Sequence, residues 1–197
     1  MMKKSIKTYA RSLCMIIGCA LILGAAALLI YTQVSRRIYD DACDTYVQRI
    51  QDAIPPVYSA YPEPRRDNTM PCFASDSVDF VALLEFPAYA STLPVRNTWH
   101  NPEQCPNRFS GSVYNNTMII GATDRDGQLD FVKVLQTGDL IYLTDMTGGQ
   151  YRYEITDIQV SKRADAQTLS DGESDLTVFV KISTSFDYYL LRCDIQQ

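Results

Sequence analysis

Residues 13–30 read LCMIIGCALILGAAALLI, a run of 18 with no charged or strongly polar side chain. As a helix rising about 1.5 Å per residue, this run with Tyr31 matches the roughly 30 Å hydrocarbon core of a bilayer. A chain with such a segment either crosses a membrane or loses it to a signal peptidase. Ala25, Ala26 and Ala27 offer small residues for cleavage. Cleavable signals, however, have apolar regions of about 7–15 residues, and here the run continues through Leu28, Leu29 and Ile30. An uncleaved anchor at 13–31 is the expectation. Lys3, Lys4, Lys7 and Arg11 precede it with no acid among them, so the 1–12 tail is expected to stay cytoplasmic and the bulk of the chain to lie outside.

Charge narrows the partners of that outer part. Beyond residue 12 the chain carries 14 basic and 23 acidic residues, the opposite of the basic face that a phosphate backbone requires. No nucleic-acid role is expected. His100 is the single histidine of the 197 residues. It excludes a multi-His metal site and leaves any imidazole acid–base chemistry to one side chain. No metal or other cofactor is implied.

Residues 33–54 have no Gly or Pro and repeat an apolar side chain every fourth residue at Ile38, Ala42, Tyr46, Ile50 and Ile54. This predicts a stalk helix whose narrow stripe packs on its own domain or forms a seam with a partner. A linker at 55–75 follows, with five prolines between residues 55 and 71, which suits an extended spacer. From residue 76 to 197 the pattern changes. VDFVALLEF (78–86), TMIIG (117–121), LIYLTD (140–145), residues 150–160, DLTVFVKI (175–182) and DYYLLRC (187–193) read as short strands rich in β-branched and aromatic residues. Met146, Thr147, Gly148 and Gly149 join two of them as a hairpin, and a bulge is expected near Thr156 and Asp157. Residues 129–135 read as a short helix. The fold class is all-β, a barrel or sandwich of about 120 residues with its own core.

Four phrases in this region, in order, resemble the sortase family, the cysteine transpeptidases of Gram-positive cell envelopes. They are FVALLEFPAYASTLPV (80–95), CPNRFSGSVYNNTMIIGATD (105–124), LQTGDLIYLTDMTGGQYRYEITDIQV (135–160) and SDLTVFVKISTSFDYYLLRC (174–193). The resemblance implies a closed β-barrel of about eight strands with short helices, preceded by a transmembrane helix and a stalk. It also implies a thiolate that attacks a sorting-signal peptide, a His that moves protons, and an Arg that holds the oxyanion or the substrate.

Laid over the family phrases, this chain lacks all three groups. The xGH phrase falls on Ile120, Gly121 and Ala122, so Ala122 stands at the His position. The TLxTC phrase falls on residues 177–181, so Lys181 stands at the Cys position, and Tyr188 stands at the Arg position. No Cys occurs between Cys105 and Cys193, so a small slip of the overlay recovers no thiol. Lys181 as a nucleophile would give a stable amide rather than an activated intermediate, and Ser183, Thr184 and Ser185 lack a base. Cys193 as a displaced nucleophile lacks a His partner. The resemblance further implies that Cys105 and Cys193, in phrases seen in related sequences, form a disulfide. Cys14 and Cys19 fall in the apolar run, and Cys43 and Cys72 in the outer part. Asp124, Asp126 and Asp130 resemble a fragment of a calcium loop without its spacing, and Asp165, Asp171 and Glu173 line a loop that binds calcium in some sortases. Both read as acidic turns. Residues 115–117 form a glycosylation sequon, relevant only in a eukaryotic secretory pathway.

The expectation is a membrane-anchored sortase-like protein without the Cys/His/Arg set. Lys181, Tyr188 and Thr123 are its candidate groove residues. A sorting-signal-like peptide, a surface protein, a pilin or an active sortase is its candidate partner. The competing expectation is an active transpeptidase or hydrolase with atypical residues.

Overall fold

The structure, a computed structural model, describes residues 3–63, 69–100, 104–125, 128–170 and 174–196, with the side chains of 3–14 and 35–40 outside the description. Cys14, Ile38, Asp126, Asp171 and Glu173, considered above, fall outside it. The chain forms two compact units, Met1–Tyr39 and Asp40–Gln197. Helix α1 (Lys3–Ala53) supplies the whole described part of the first. Within it, Met15–Val34 is long and apolar enough to cross a membrane, and its leucines and isoleucines are exposed.

In the second unit, residues 40–53 of α1 bury Cys43, Val47 and Ile50, and Ile50 meets Phe80 and Leu83. Tyr46 and Ile54 pack on the same cluster, the Tyr46 ring 4.9 Å from that of Phe80. The fully buried positions are therefore Cys43, Val47 and Ile50, with Tyr46 and Ile54 half-buried beside them, not a strict fourfold repeat. At 3.6 residues per turn, steps of four drift around the helix while alternating steps of four and three hold one face. Ile50 is spent on this packing and offers nothing to a partner.

Ten strands follow among the described residues: β1 (Tyr58–Ser59), β2 (Phe73–Ser75), β3 (Val78–Phe86), β4 (Ser91–Arg96), β5 (Asn107–Ser110), β6 (Met118–Thr123), β7 (Leu140–Asp145), β8 (Gly149–Ser161), β9 (Leu176–Lys181) and β10 (Tyr188–Ile195). Helix α2 (Ala166–Ser170) lies between β8 and β9. The pairing runs β8-β10-β9-β6-β5-β4-β3-β7 and returns from β7 to β8, so eight strands close into a barrel. Closure leaves those eight no free edge, while β1 extends β8 and β2 extends β3.

Its interior is one apolar cluster that includes Val81, Leu84, Met118, Ile120, Ala122, Val178 and Leu191. The β7–β8 hairpin is tied by the buried Asp145 carboxylate, which accepts from Thr147 N at 2.8 Å, Thr147 Oγ1 at 2.7 Å, Gly149 N at 3.0 Å and Tyr114 Oη at 3.1 Å. In β8, Thr156 is the extra residue of a bulge: Arg192 pairs with Asp157 while Cys193 pairs with Ile155. The short helix expected over 129–135 is a 3-10 helix, Asp130–Val134.

Candidate binding face on β6, β9 and β10

The parallel β6–β9 pair and the antiparallel β9–β10 pair set three rows across the barrel wall. Thr123, Lys181 and Tyr188 form the first, Gly121, Phe179 and Leu190 the second, and Ile119, Thr177 and Arg192 the third. Alternation along a strand puts these residues on one face and their neighbours on the other. Ala122, Val180 and Tyr189 accordingly face the barrel core, where Ala122 is 1% exposed. The side chain that shares a face with Lys181 is thus Thr123, and Ala122 is a packing residue of the interior.

The second row explains Gly121. A Cβ there would stand 2.4 Å from Phe179 Cζ and 2.5 Å from Trp99 Cζ3, so only a hydrogen fits beneath the two rings. Trp99, Phe109 and Phe179 form a mutual aromatic cluster with centroids 5.3–5.8 Å apart. Leu169 of α2 completes this outer core with Phe179 and Leu190, and Phe109, Ile119 and Tyr188 pack against it. In the third row Arg192 Nη1 donates to Leu169 O at 2.7 Å and to Thr177 Oγ1 at 2.9 Å, while Nη2 donates to Thr168 O at 2.7 Å. A guanidinium thereby straps α2 over the face. Asp165 caps that helix, accepting from Thr168 N at 2.8 Å, and this bond holds its carboxyl below the ordinary range. The middle of the face is therefore roofed, and the first row lies at its end.

At that end Lys181 is exposed, Tyr188 is half-buried, and Thr123 is buried with no partner for its hydroxyl among the described residues. Asp124, the next residue, is buried. Its carboxylate accepts from Ser183 N at 2.5 Å and stands 3.4 Å from Lys133 Nζ, which ties β6 to the loop after β9. That loop carries Phe186, 92% exposed. The first row presents a hydroxyl, an ammonium and a phenol, but no thiol or imidazole.

The cysteines and His100 lie elsewhere. Cys193 is buried in the barrel core, and burial pushes its thiol far up, away from the thiolate that nucleophilic attack requires. Cys105 is not bridged to Cys193; its Sγ lies 2.7 Å from Cys43 Sγ. Cys193 points inward from β10 and is satisfied by packing, whereas Cys105 faces the end of α1. His100 is exposed, its backbone N–H donating to Asn107 Oδ1 at 3.3 Å. Among the described residues no three His, Cys, Asp or Glu side chains converge as metal ligands. Trp99, Leu169 and Arg192 are the face residues that sequence reasoning passed over. A lone cation inside the apolar DYYLLRC phrase was the one available signal.

No protein-family sequence profile matches this chain, and no curated protein sequence does. Solved structures are similar. Sortase A from Corynebacterium diphtheriae superposes with a TM-score of 0.54 at 16% identity, over 82% of this chain and 84% of that one. Sortase C from Clostridium perfringens SM101 gives 0.51 at 15% identity, over 64% and 73%. Sortase C1 from Streptococcus agalactiae gives 0.52 at 13% identity, over 59% and 69%. The chain has the sortase fold.

Proposed function

We propose that this protein is a membrane-anchored, extracytoplasmic sortase-fold protein that binds rather than cuts, holding a sorting-signal-like peptide or an envelope protein at the end of the β6–β9–β10 face. The observation that carries the reading is the row Thr123–Lys181–Tyr188. Lys181 and Tyr188 stand at the positions where the sortase resemblance implies thiolate and guanidinium, and Thr123 follows Ala122, the position it implies for imidazole. Whether the base position is Ala122 by phrase or Thr123 by face, neither side chain takes up a proton near neutral pH, and general acid–base help is typically worth about 10²–10⁴ in rate. What the row retains is recognition chemistry: an exposed ammonium for a carboxylate and a phenol for stacking and hydrogen bonding. The exposed Phe186 beside it adds apolar contact.

Two assays on the full chain in detergent micelles test this. Calorimetric titration with sorting-signal peptides is expected to show saturable binding that weakens about tenfold in Lys181→Glu, the loss of one charge-assisted hydrogen bond. A fluorogenic version of the same peptide is expected to stay uncleaved. Turnover that vanishes in Ser183→Ala or Cys193→Ala would instead establish an active transpeptidase or hydrolase. Absence of any binding would remove the peptide as ligand.

A further inference from the structure

Cys43, on the last turns of α1, and Cys105, in the segment entering β5, are 62 residues apart in sequence, yet their sulfurs lie 2.7 Å apart. Both are buried, at 4% and 2% exposure. Amide and guanidinium groups surround them. Cys43 Sγ donates to Gln104 O at 2.9 Å, and Gln128 Nε2 donates to that carbonyl at 2.8 Å and approaches Cys43 Sγ at 3.4 Å. Among the described residues no His or carboxylate joins the two sulfurs as the further ligands that zinc takes. The hydrogen bond it shares with Cys43, with the guanidinium groups of Arg96 and Arg125, holds the Cys105 thiol below its ordinary value despite burial.

We infer that Cys43 and Cys105 are oxidised to a disulfide in the mature protein, fixing the end of α1 to the barrel; the bond rests on the exterior placement proposed above. The oxidant is a disulfide of the oxidoreductase or glutathione class. Cys105 thiolate attacks one sulfur of that external disulfide, forming a mixed disulfide and expelling the first external thiolate. Cys43 thiolate then attacks Cys105 Sγ, closing the internal bond and expelling the second. In sum two thiols lose two protons and two electrons, and one external disulfide becomes two thiols. The burial of both sulfurs dates this exchange to folding, before α1 settles on the barrel.

The experiment uses the full chain extracted from cells, with thiols blocked by N-ethylmaleimide under denaturing conditions and digested without reductant. The expected result is a peptide linking Cys43 to Cys105, with neither residue labelled, and a protein lighter by two hydrogen atoms than its reduced form. A parallel sample is reduced, refolded in oxidised glutathione and mapped in the same way. Label on both cysteines from cells, with the link formed in glutathione, would overturn the inference through the exterior placement. Label on both in each sample, or a link to Cys72 or Cys193, would overturn the pairing itself. Reductant is expected to lower the melting temperature of the native chain and not that of the Cys43→Ser, Cys105→Ser double variant.

Discussion

Phe179 occupies the space that a side chain on Gly121 would fill, its Cζ 2.4 Å from where a Cβ would stand. With Trp99 pressed on the same glycine, Gly121→Ala is expected to cost about 1–3 kcal/mol by overpacking. Trp99 is the chain's single tryptophan, so its fluorescence reports on this patch alone. Urea unfolding followed at that signal checks the cost, and an unchanged midpoint would contradict the packing.

The two histidine replacements on β6 separate its faces. Ala122→His drives an imidazole into the barrel core and is expected to cost about 3 kcal/mol or more, through overpacking and a buried ring nitrogen without a partner. Thr123→His stays on the face shared with Lys181 and is expected to cost less. Thermal unfolding of both variants decides the order. The reverse order would mean that β6 presents the opposite face.

Arg192→Met removes the strap on α2. Two backbone carbonyls, Thr168 O and Leu169 O, lose a charged donor, a loss of about 2 kcal/mol. Hydrogen exchange is expected to quicken selectively over residues 161–170, while β7 stays protected. Uniform acceleration across the barrel would show that the guanidinium supports the whole domain instead.

Burial raises the Glu85 carboxyl above its ordinary value of 4.5. The folded state then holds the proton more tightly than the unfolded one. Stability from this group is full below the ordinary value and is lost as pH rises through the raised one. Glu85→Gln is expected to match the native chain near pH 4 and to exceed it at neutral pH, read from urea unfolding across that interval. Equal stability at every pH would refute the shift.

Much of the barrel was legible because its strands alternate or run apolar between turn residues. Even the bulge at Thr156 showed in the broken alternation after Ile155. β4 and β5 were not legible. β4 contains Pro94, which removes a ladder donor, and β5 has four residues with polar Asn107 and Arg108. The orientation of Ala122 was also hidden. In MIIGAT both faces of β6 are covered, one by the core and the other by Trp99 and Phe179, so the phrase carries no alternation to read. The Cys43–Cys105 contact lay beyond sequence reasoning, since it depends on where α1 docks, and spacing alone does not choose among cysteine pairings.

β10 is the stave between β8 and β9, hydrogen-bonded to both along its length. Withdrawing it would open the ring at two seams together and uncover Leu191 and Cys193 from within. Closure of the barrel therefore runs through this one strand, and its loss would leave both neighbours with an unpaired edge.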